Sequence, residues 1–344
     1  MPAETLRLAS YGPGLSRDGP GLLLRDILKG EAQVAAAIAV IAHAAPDILL
    51  LTGFDRDADG AALAAFADAL HADGGPDYPY RLALPSNAGR PSGADLDGDG
   101  RAHGPRDAQG YGRFTGDGAL ALLSRHPLGP ARDLSPLPWR DLPGAAWPVT
   151  GGAPFPSEAV HAVRLLSSTG HWVVPAETPS GPVTLMAFAA TPPVFDGPED
   201  LNGRRNRDEI RLWARLLDGD LGPVPEPPFA ILGRAHLDPV DGEGRHAAIA
   251  ALLADPRLMD PRPASPGGRA AADPGQRGDP ALDTADWRDP PEGPGNLRVD
   301  YVLPSRAGWR VTGAGVVWPE AGPLAEAAAT ASSHRLVWVD LRLD

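Results

Sequence analysis

The run "FAIL" at residues 229–232 is apolar at four successive positions, and so is "ILLL" at 48–51. Such strands are buried on both faces, so each needs a packed layer above and below it. Helical spacing appears elsewhere. Val34, Ile38 and Ile41 share one face of a segment over 31–44 that Pro46 ends, and Leu63, Phe66 and Leu70 share a face over 60–72. Further helices are expected over 207–217 and 245–254. Strands are expected over 6–10, 47–51, 81–84, 119–124, 163–167, 183–188, 229–233, 297–304, 309–318 and 335–343. Strands at both ends with helices between them imply an α/β fold of two mixed β-sheets packed face to face and flanked by helices, an α/β/β/α sandwich. With no internal repeat and no dividing linker, residues 1–344 read as one domain. It carries an inserted Asp-rich loop over 93–110 and a Pro/Gly loop over 255–296, the latter expected to run along the surface.

Composition narrows the function classes. Forty-one glycines and 40 prolines come near the low-complexity level, but they are interleaved with apolar runs and so read as long ordered loops. The absence of cysteine excludes disulfides, thiolate metal sites and cysteine nucleophiles. The formal net charge is −13, and the basic residues, all arginine except Lys29, are scattered along the chain. That balance disfavours non-specific nucleic-acid binding. No apolar run reaches the ~18 residues that span a bilayer. The amino terminus "MPAETLRLASYGPG" lacks the charged start and apolar stretch of a signal peptide. The expectation is a cytoplasmic protein, or a periplasmic or extracellular one if a leader has been removed.

Six segments carry the chemistry or its remains: "LASYGPGL", "DILLLTGFD", "VTLMAFAATPPVFDGPEDLNGRRN", "AILGRAHLDP", "LRVDYVLPS" and "ASSHRLVWVDLRL". In this order they resemble the endonuclease/exonuclease/phosphatase superfamily, the deoxyribonuclease-I-like fold, and a bacterial branch of it in particular. The family's marks are an Asn after the first strand, a Glu after the second, a mid-chain His, then G-D-x-N and a terminal S-D-H. The resemblance implies phosphoester hydrolysis with Mg²⁺ or Mn²⁺ held by those carboxylates, because hard cations need oxygen ligands.

This chain fills the seats with other residues. Gly12 stands for the Asn, Gly53 for the metal Glu and Ala189 for the mid-chain His. Arg234 and His236 replace the Asp and Asn of G-D-x-N, and Ser333 replaces the Asp of S-D-H, leaving His334. Asp55 is the carboxylate nearest Gly53 in sequence. A guanidinium where a metal-site carboxylate belongs opposes a cation, so no Mg²⁺ or Mn²⁺ is expected there. The resemblance, read with these substitutions, implies a pseudoenzyme retained for binding or assembly with a protein partner. Other readings stay open: an active hydrolase with a displaced or rebuilt site, or a structural subunit of a larger complex. Arg234, His236 and His334 suit an anion such as phosphate or carboxylate, or metal-free acid–base chemistry, or are tolerated replacements in an idle cleft.

A second motif, "DLDGDGRAHGPRD", sets Asp95, Asp97 and Asp99 at positions 1, 3 and 5 of a Ca²⁺ loop, with Gly100 at its sharp turn. Arg101 offers its carbonyl, Arg106 occupies the twelfth position, and Asp107 follows it. The expectation is an isolated Ca²⁺ site that stiffens the loop, set against a solvated acidic turn. The charges of "FDGPEDLNGRRNRDEIRLW" either line the cleft, with Arg204, Arg205 and Asn206 facing an anion, or pair with each other at a helix start. Trp287, in "DTADW", either plugs the long loop onto the body or marks a partner surface.

Overall fold

The computed structural model describes residues 5–344. In chain order the strands are β1 (Thr5–Tyr11), β2 (Ile48–Phe54), β3 (Tyr80–Leu82), β4 (Ala119–Ser124), β5 (Arg132–Asp133), β6 (Val149–Thr150) and β7 (Ala153–Pro154). They continue with β8 (Gly170–Thr178), β9 (Gly181–Ala189), β10 (Phe229–Arg234), β11 (Asp300–Pro304), β12 (Trp309–Val316) and β13 (Val337–Leu343). The helices are α1 (Leu22–Leu28), α2 (Ala32–Ala44), α3 (Ala61–Ala72), α4 (Glu158–Val163), α5 (Leu201–Leu217), α6 (Ala247–Leu253), α7 (Pro266–Ala270) and α8 (Pro323–Ala331).

Two mixed sheets dominate, ordered β12-β13-β1-β2-β4-β3 and β11-β10-β9-β8-β5. Strand alternation divides their side chains among three apolar layers. Leu6 and Leu8 of β1, Ile48 and Leu50 of β2, Leu185 and Ala187 of β9, and Ala230 and Leu232 of β10 all point between the sheets, with Trp172 among them. The intervening residues face outward. Ala9, Tyr11, Leu49 and Leu51 pack under α1, α2, α3 and α8. Met186, Phe188, Phe229 and Ile231 pack under α5 and α6 through Ile210, Trp213, Leu216 and Ile249. The doubly apolar runs are thus covered on both faces, and the α/β/β/α layering follows.

Local chemistry sets the helix starts. The Glu31 carboxylate accepts the amides of Gln33 and Val34 at the head of α2, and Asp57 accepts those of Ala61 and Ala62 at the head of α3. Three expectations need correction. Residues 163–167 are not a strand: α4 occupies the start of that stretch, capped by Ser157, and the strand lies at β8. Pro175 inside β8 obscured it, because proline removes a ladder donor. β8 accommodates it because its outer neighbour, β5, is only two residues long. Helix α5 starts at Leu201, absorbing "NGRRN" that read as loop. Finally, 255–296 is not one surface loop. It contains α7 and a 3-10 turn at Pro280–Leu282, and buries Ala281, Leu282, Asp283, Thr284 and Ala285. Helices α1 and α8 went unread in the sequence.

Candidate active-site cleft

Strands β1, β2, β9 and β10 end, and β11 begins, at the same side of the sandwich. This brings Gly12, Gly53, Arg234, His236, Asp300 and His334 together. Alternation decides what Arg234 does. It follows Ala230 and Leu232 on the inter-sheet face, so its side chain crosses toward the opposite sheet. A Cβ on Gly12 would lie 3.2 Å from Arg234 Nη1, 3.1 Å from Thr52 Oγ1 and 3.4 Å from His334 Cγ. A Cβ on Gly53 would lie 3.2 Å from Arg234 Nη2. Gly53 also sits at φ +74°, where the β2–β4 register slips by a bulge. The guanidinium fills the space that side chains at both glycines would need.

Arg234 has no hydrogen-bond or ion-pair partner among the described residues, and its Nε is buried without one. Burial pulls its pKa below the ordinary arginine value, while the nearby Asp300 carboxylate acts in the opposite direction. Asp300 faces Arg234 across the β10–β11 ladder. The Asp300 Oδ2 atom lies 2.7 Å from His334 Nδ1 and 3.3 Å from Thr284 Oγ1, and Asp300 itself is fully buried. Trp287 stands edge-on to His334, ring centres 5.2 Å apart. The His236 ring also neighbours His334, with ring centres 5.9 Å apart. His236 holds a left-handed backbone (φ 50°), and its Nδ1 lies 2.8 Å from the Ala190 carbonyl. Burial pushes the His236 pKa well below the ordinary imidazole value, and the charge of Arg234 and the neighbouring His334 add to the fall. Ala189 is buried in the inter-sheet layer, and Ser333 meets the 283–287 segment through its carbonyl, which accepts the Asp286 amide.

The family model described as "Endonuclease/Exonuclease/phosphatase family" matches residues 21–334. The chain belongs to the endonuclease/exonuclease/phosphatase family. Solved structures with the same deoxyribonuclease-I-like layering agree. An endonuclease/exonuclease/phosphatase from Beutenbergia cavernae has TM-score 0.57 and 19% identity over 98% of this chain and 72% of that one. Sphingomyelinase C from Streptomyces griseocarneus has TM-score 0.53 and 16% identity over 98% and 99%. A family protein from Bacteroides thetaiotaomicron has TM-score 0.51 and 13% identity over 100% of both chains. No curated protein matches the sequence.

The divalent cation that this family implies does not fit the residues in the cleft. Gly12, Gly53 and Ala189 offer no side-chain ligand, and Arg234 brings a fixed positive charge to the centre. Asp300 is the carboxylate in the cleft: His334 and Thr284 engage its Oδ2, and its buried Oδ1, though without a hydrogen-bond partner, is a single ligand oxygen beside the Arg234 charge. Asp55 does not substitute for the family's glutamate. Its oxygens accept the amides of Arg17 and Gly118, bolting the β2 exit to two loops, and burial raises its pKa.

Sequence reasoning passed over Asp300, Thr284 and the position of Trp287. The available signal was an aspartate inside the apolar run "RVDYVL", since a buried charge demands a partner. The long loop supplies part of the answer, because Thr284 also accepts the amides of Val299 and Asp300, and Ala285 bridges to His334. Trp287 therefore plugs the loop onto the body at the cleft wall.

The charges at the head of α5 serve the scaffold. Asn206 donates to the carbonyls of Thr191 and Ala235, tying the exits of β9 and β10 together. Glu209 accepts the amides of Ser168 and Thr191, and Arg205 reaches the Leu166 carbonyl at 2.8 Å. Arg204 donates to the Glu199 carbonyl.

In the Asp-rich loop, Asp95, Asp97 and Asp99 bring one carboxylate oxygen each within 4.8 Å of the others. The Asp95 carboxylate accepts the amides of Gly98, Asp99 and Gly100, and Asp99 accepts that of Arg101. Asp107 stands outside this trio. It is buried, and its carboxylate accepts the Leu96 amide instead.

Proposed function

We propose that this family member does not hydrolyse phosphoesters with a metal ion and that its cleft serves binding or assembly. The position of Arg234 carries this reading. The guanidinium spans from Gly12 to Gly53, so the centre of the cleft is cationic and occupied. A divalent cation there would face repulsion of several kcal/mol at an effective dielectric constant of about 20. Purified protein assayed on phosphodiesters and phosphomonoesters with Mg²⁺ or Mn²⁺ is expected to match its metal-free control. Turnover that a chelator abolishes overturns the reading.

One observation favours a second reading. His334 keeps a buried carboxylate partner in Asp300, the arrangement that orients a general acid or base. Metal-free chemistry around Arg234, His236 and His334 is therefore the alternative, tested by the same panel run in EDTA. For the Asp-rich loop we propose Ca²⁺ held by Asp95, Asp97 and Asp99 with the Arg101 carbonyl, serving to stiffen the loop. The partner we propose is a protein, since the net charge of −13 opposes nucleic acid.

A further inference from the structure

We propose that Arg234, His236 and His334 form a binding site for a phosphate group. The inference deepens the reading of a cleft that has exchanged its metal for an arginine. Three observations converge on it. First, Arg234 projects into the cleft with both Nη atoms lacking any partner among the described residues, while every side-chain hydrogen bond of Asp300 goes to His334 or Thr284. Asp300 acts on the guanidinium through its charge without bonding it, which leaves the Nη donors free for an external anion. Second, the two imidazoles are committed in the same sense. Carbonyl and carboxylate oxygens accept only, so Nδ1 of His236 donates to Ala190 and Nδ1 of His334 donates to Asp300. Their Nε2 atoms have no protein partner and are not sealed from solvent. Third, Arg234 is flanked by His334, whose Cγ shares the wall of Gly12 with Nη1, and His334 stands 5.9 Å from His236. The fork and the two imidazoles thus lie in one cluster, with more bonding atoms than the two oxygens of a carboxylate can engage and enough for a tetrahedral oxyanion.

The tautomers add a consequence. An Nε2 without a proton meets a phosphate oxygen only when a proton lies between them, and a P–OH group supplies it. Affinity therefore rises as pH falls from 8 to 6. The charged and titratable groups around the imidazoles are Arg234 from β10, Asp300 from β11, Tyr11 from β1, Arg335 beside His334, and Asp286 from the loop. Arg335 is already paired with Asp286 at 2.7 Å, and burial keeps Tyr11 protonated. The net charge of −13 opposes the approach of any anion, so the site acts at short range and added salt screens that repulsion.

Calorimetric titration in EDTA with inorganic phosphate, phenyl phosphate and acetate tests the proposal. Phosphate is expected to bind the wild type, more tightly at pH 6 than at pH 8, and Arg234→Met is expected to weaken it at least about tenfold, a loss of about 1.4 kcal/mol. A preference for phenyl phosphate assigns a phosphorylated ligand, and a preference for inorganic phosphate assigns the free ion. If Arg234→Met has no melting transition, His236→Gln decides, with weakened binding expected. The site is refuted if the wild type does not bind phosphate, if acetate binds as well, or if the folded variant binds unchanged. Chelator-sensitive hydrolysis removes the parent reading yet leaves an EDTA-resistant, Arg234-dependent isotherm standing. A missing isotherm removes the site and leaves the absence of hydrolysis untouched.

Discussion

The Nη2 atom of Arg234 lies 3.2 Å from the point where a Cβ on Gly53 would sit, and Nη1 lies equally close to a Cβ on Gly12. One side chain thus makes glycine the residue that fits at two places on the opposite sheet. The two differ in how they respond to change. Gly12 is crowded by Arg234, Thr52 and His334, so Gly12→Ala is an overpacking change costing about 1–3 kcal/mol, and removing Arg234 should return much of it. Gly53 is held at φ +74°, so Gly53→Ala should keep a backbone penalty of about 1–2 kcal/mol even without the guanidinium. Denaturant melts of both variants, alone and with Arg234→Ala, measure this. Expected is coupling above about 0.5 kcal/mol for Gly12 and a smaller value for Gly53.

Glu209 holds two loops from the middle of a helix. Its carboxylate accepts from Ser168 N and Oγ, both buried, and from the part-buried Thr191 N. Glu209→Ala orphans these donors and should cost more than about 2 kcal/mol, each buried unpaired donor costing roughly 1–3. Glu209→Gln, which keeps one acceptor oxygen, should cost less. Chemical denaturation orders the two variants, and an equal cost would show that packing, not the acceptor, is what matters.

His171 should make the fold acid-sensitive. It is fully buried with Nδ1 2.6 Å from Ser167 Oγ, and burial pushes its pKa down to about 3. Between the unfolded value near 6.5 and that folded value, the unfolded state binds more protons. Stability from this group is then complete above about pH 6.5 and declines as pH falls, by up to about 1.4 kcal/mol per unit. Replacing it with Asn should flatten the difference in stability between pH 6.5 and pH 4 relative to wild type.

Asp283 acts with the opposite sign. Burial, together with the charges of Asp238, Asp273 and Asp241, raises its pKa to about 7, against the hydrogen bond from Gln276. The folded state then binds the extra proton between about pH 4 and pH 7, so this group's contribution falls as pH rises through that window. Asp283→Asn removes the charge and keeps an acceptor for Gln276. Its melting temperature should exceed that of wild type at pH 8 and match it at pH 4.

Calcium binding by the Asp-rich loop has a direct readout. Adding Ca²⁺ to chelator-treated protein should raise the melting temperature, and Asp95→Ala should abolish the rise. Asp107→Asn should leave the rise in place, because Asp107 is engaged by the Leu96 amide and stands apart from the trio. No change on adding Ca²⁺ to wild type removes the proposed site.

The uninterrupted apolar runs determined by themselves that strands would be buried on both faces, and the order of the six segments was enough to mark the fold. Local spacing likewise brought Asp95, Asp97 and Asp99 together, since the carboxylates that share a turn lie within a few residues of each other. The strand at β8 was hidden because Pro175 breaks the local pattern, and only the shortness of its neighbour β5 excuses it. The cleft was legible as a set of substituted positions but not as an arrangement. That Asp300 meets His334, and that Thr284 and Trp287 from the long loop close around them, depends on contacts between segments far apart in the chain. Arg234 shows the division most clearly. Its identity and its place at a strand end are written in the sequence. Its reach to Gly12 and Gly53 exists only because strand alternation aims it across a gap whose far wall is another sheet.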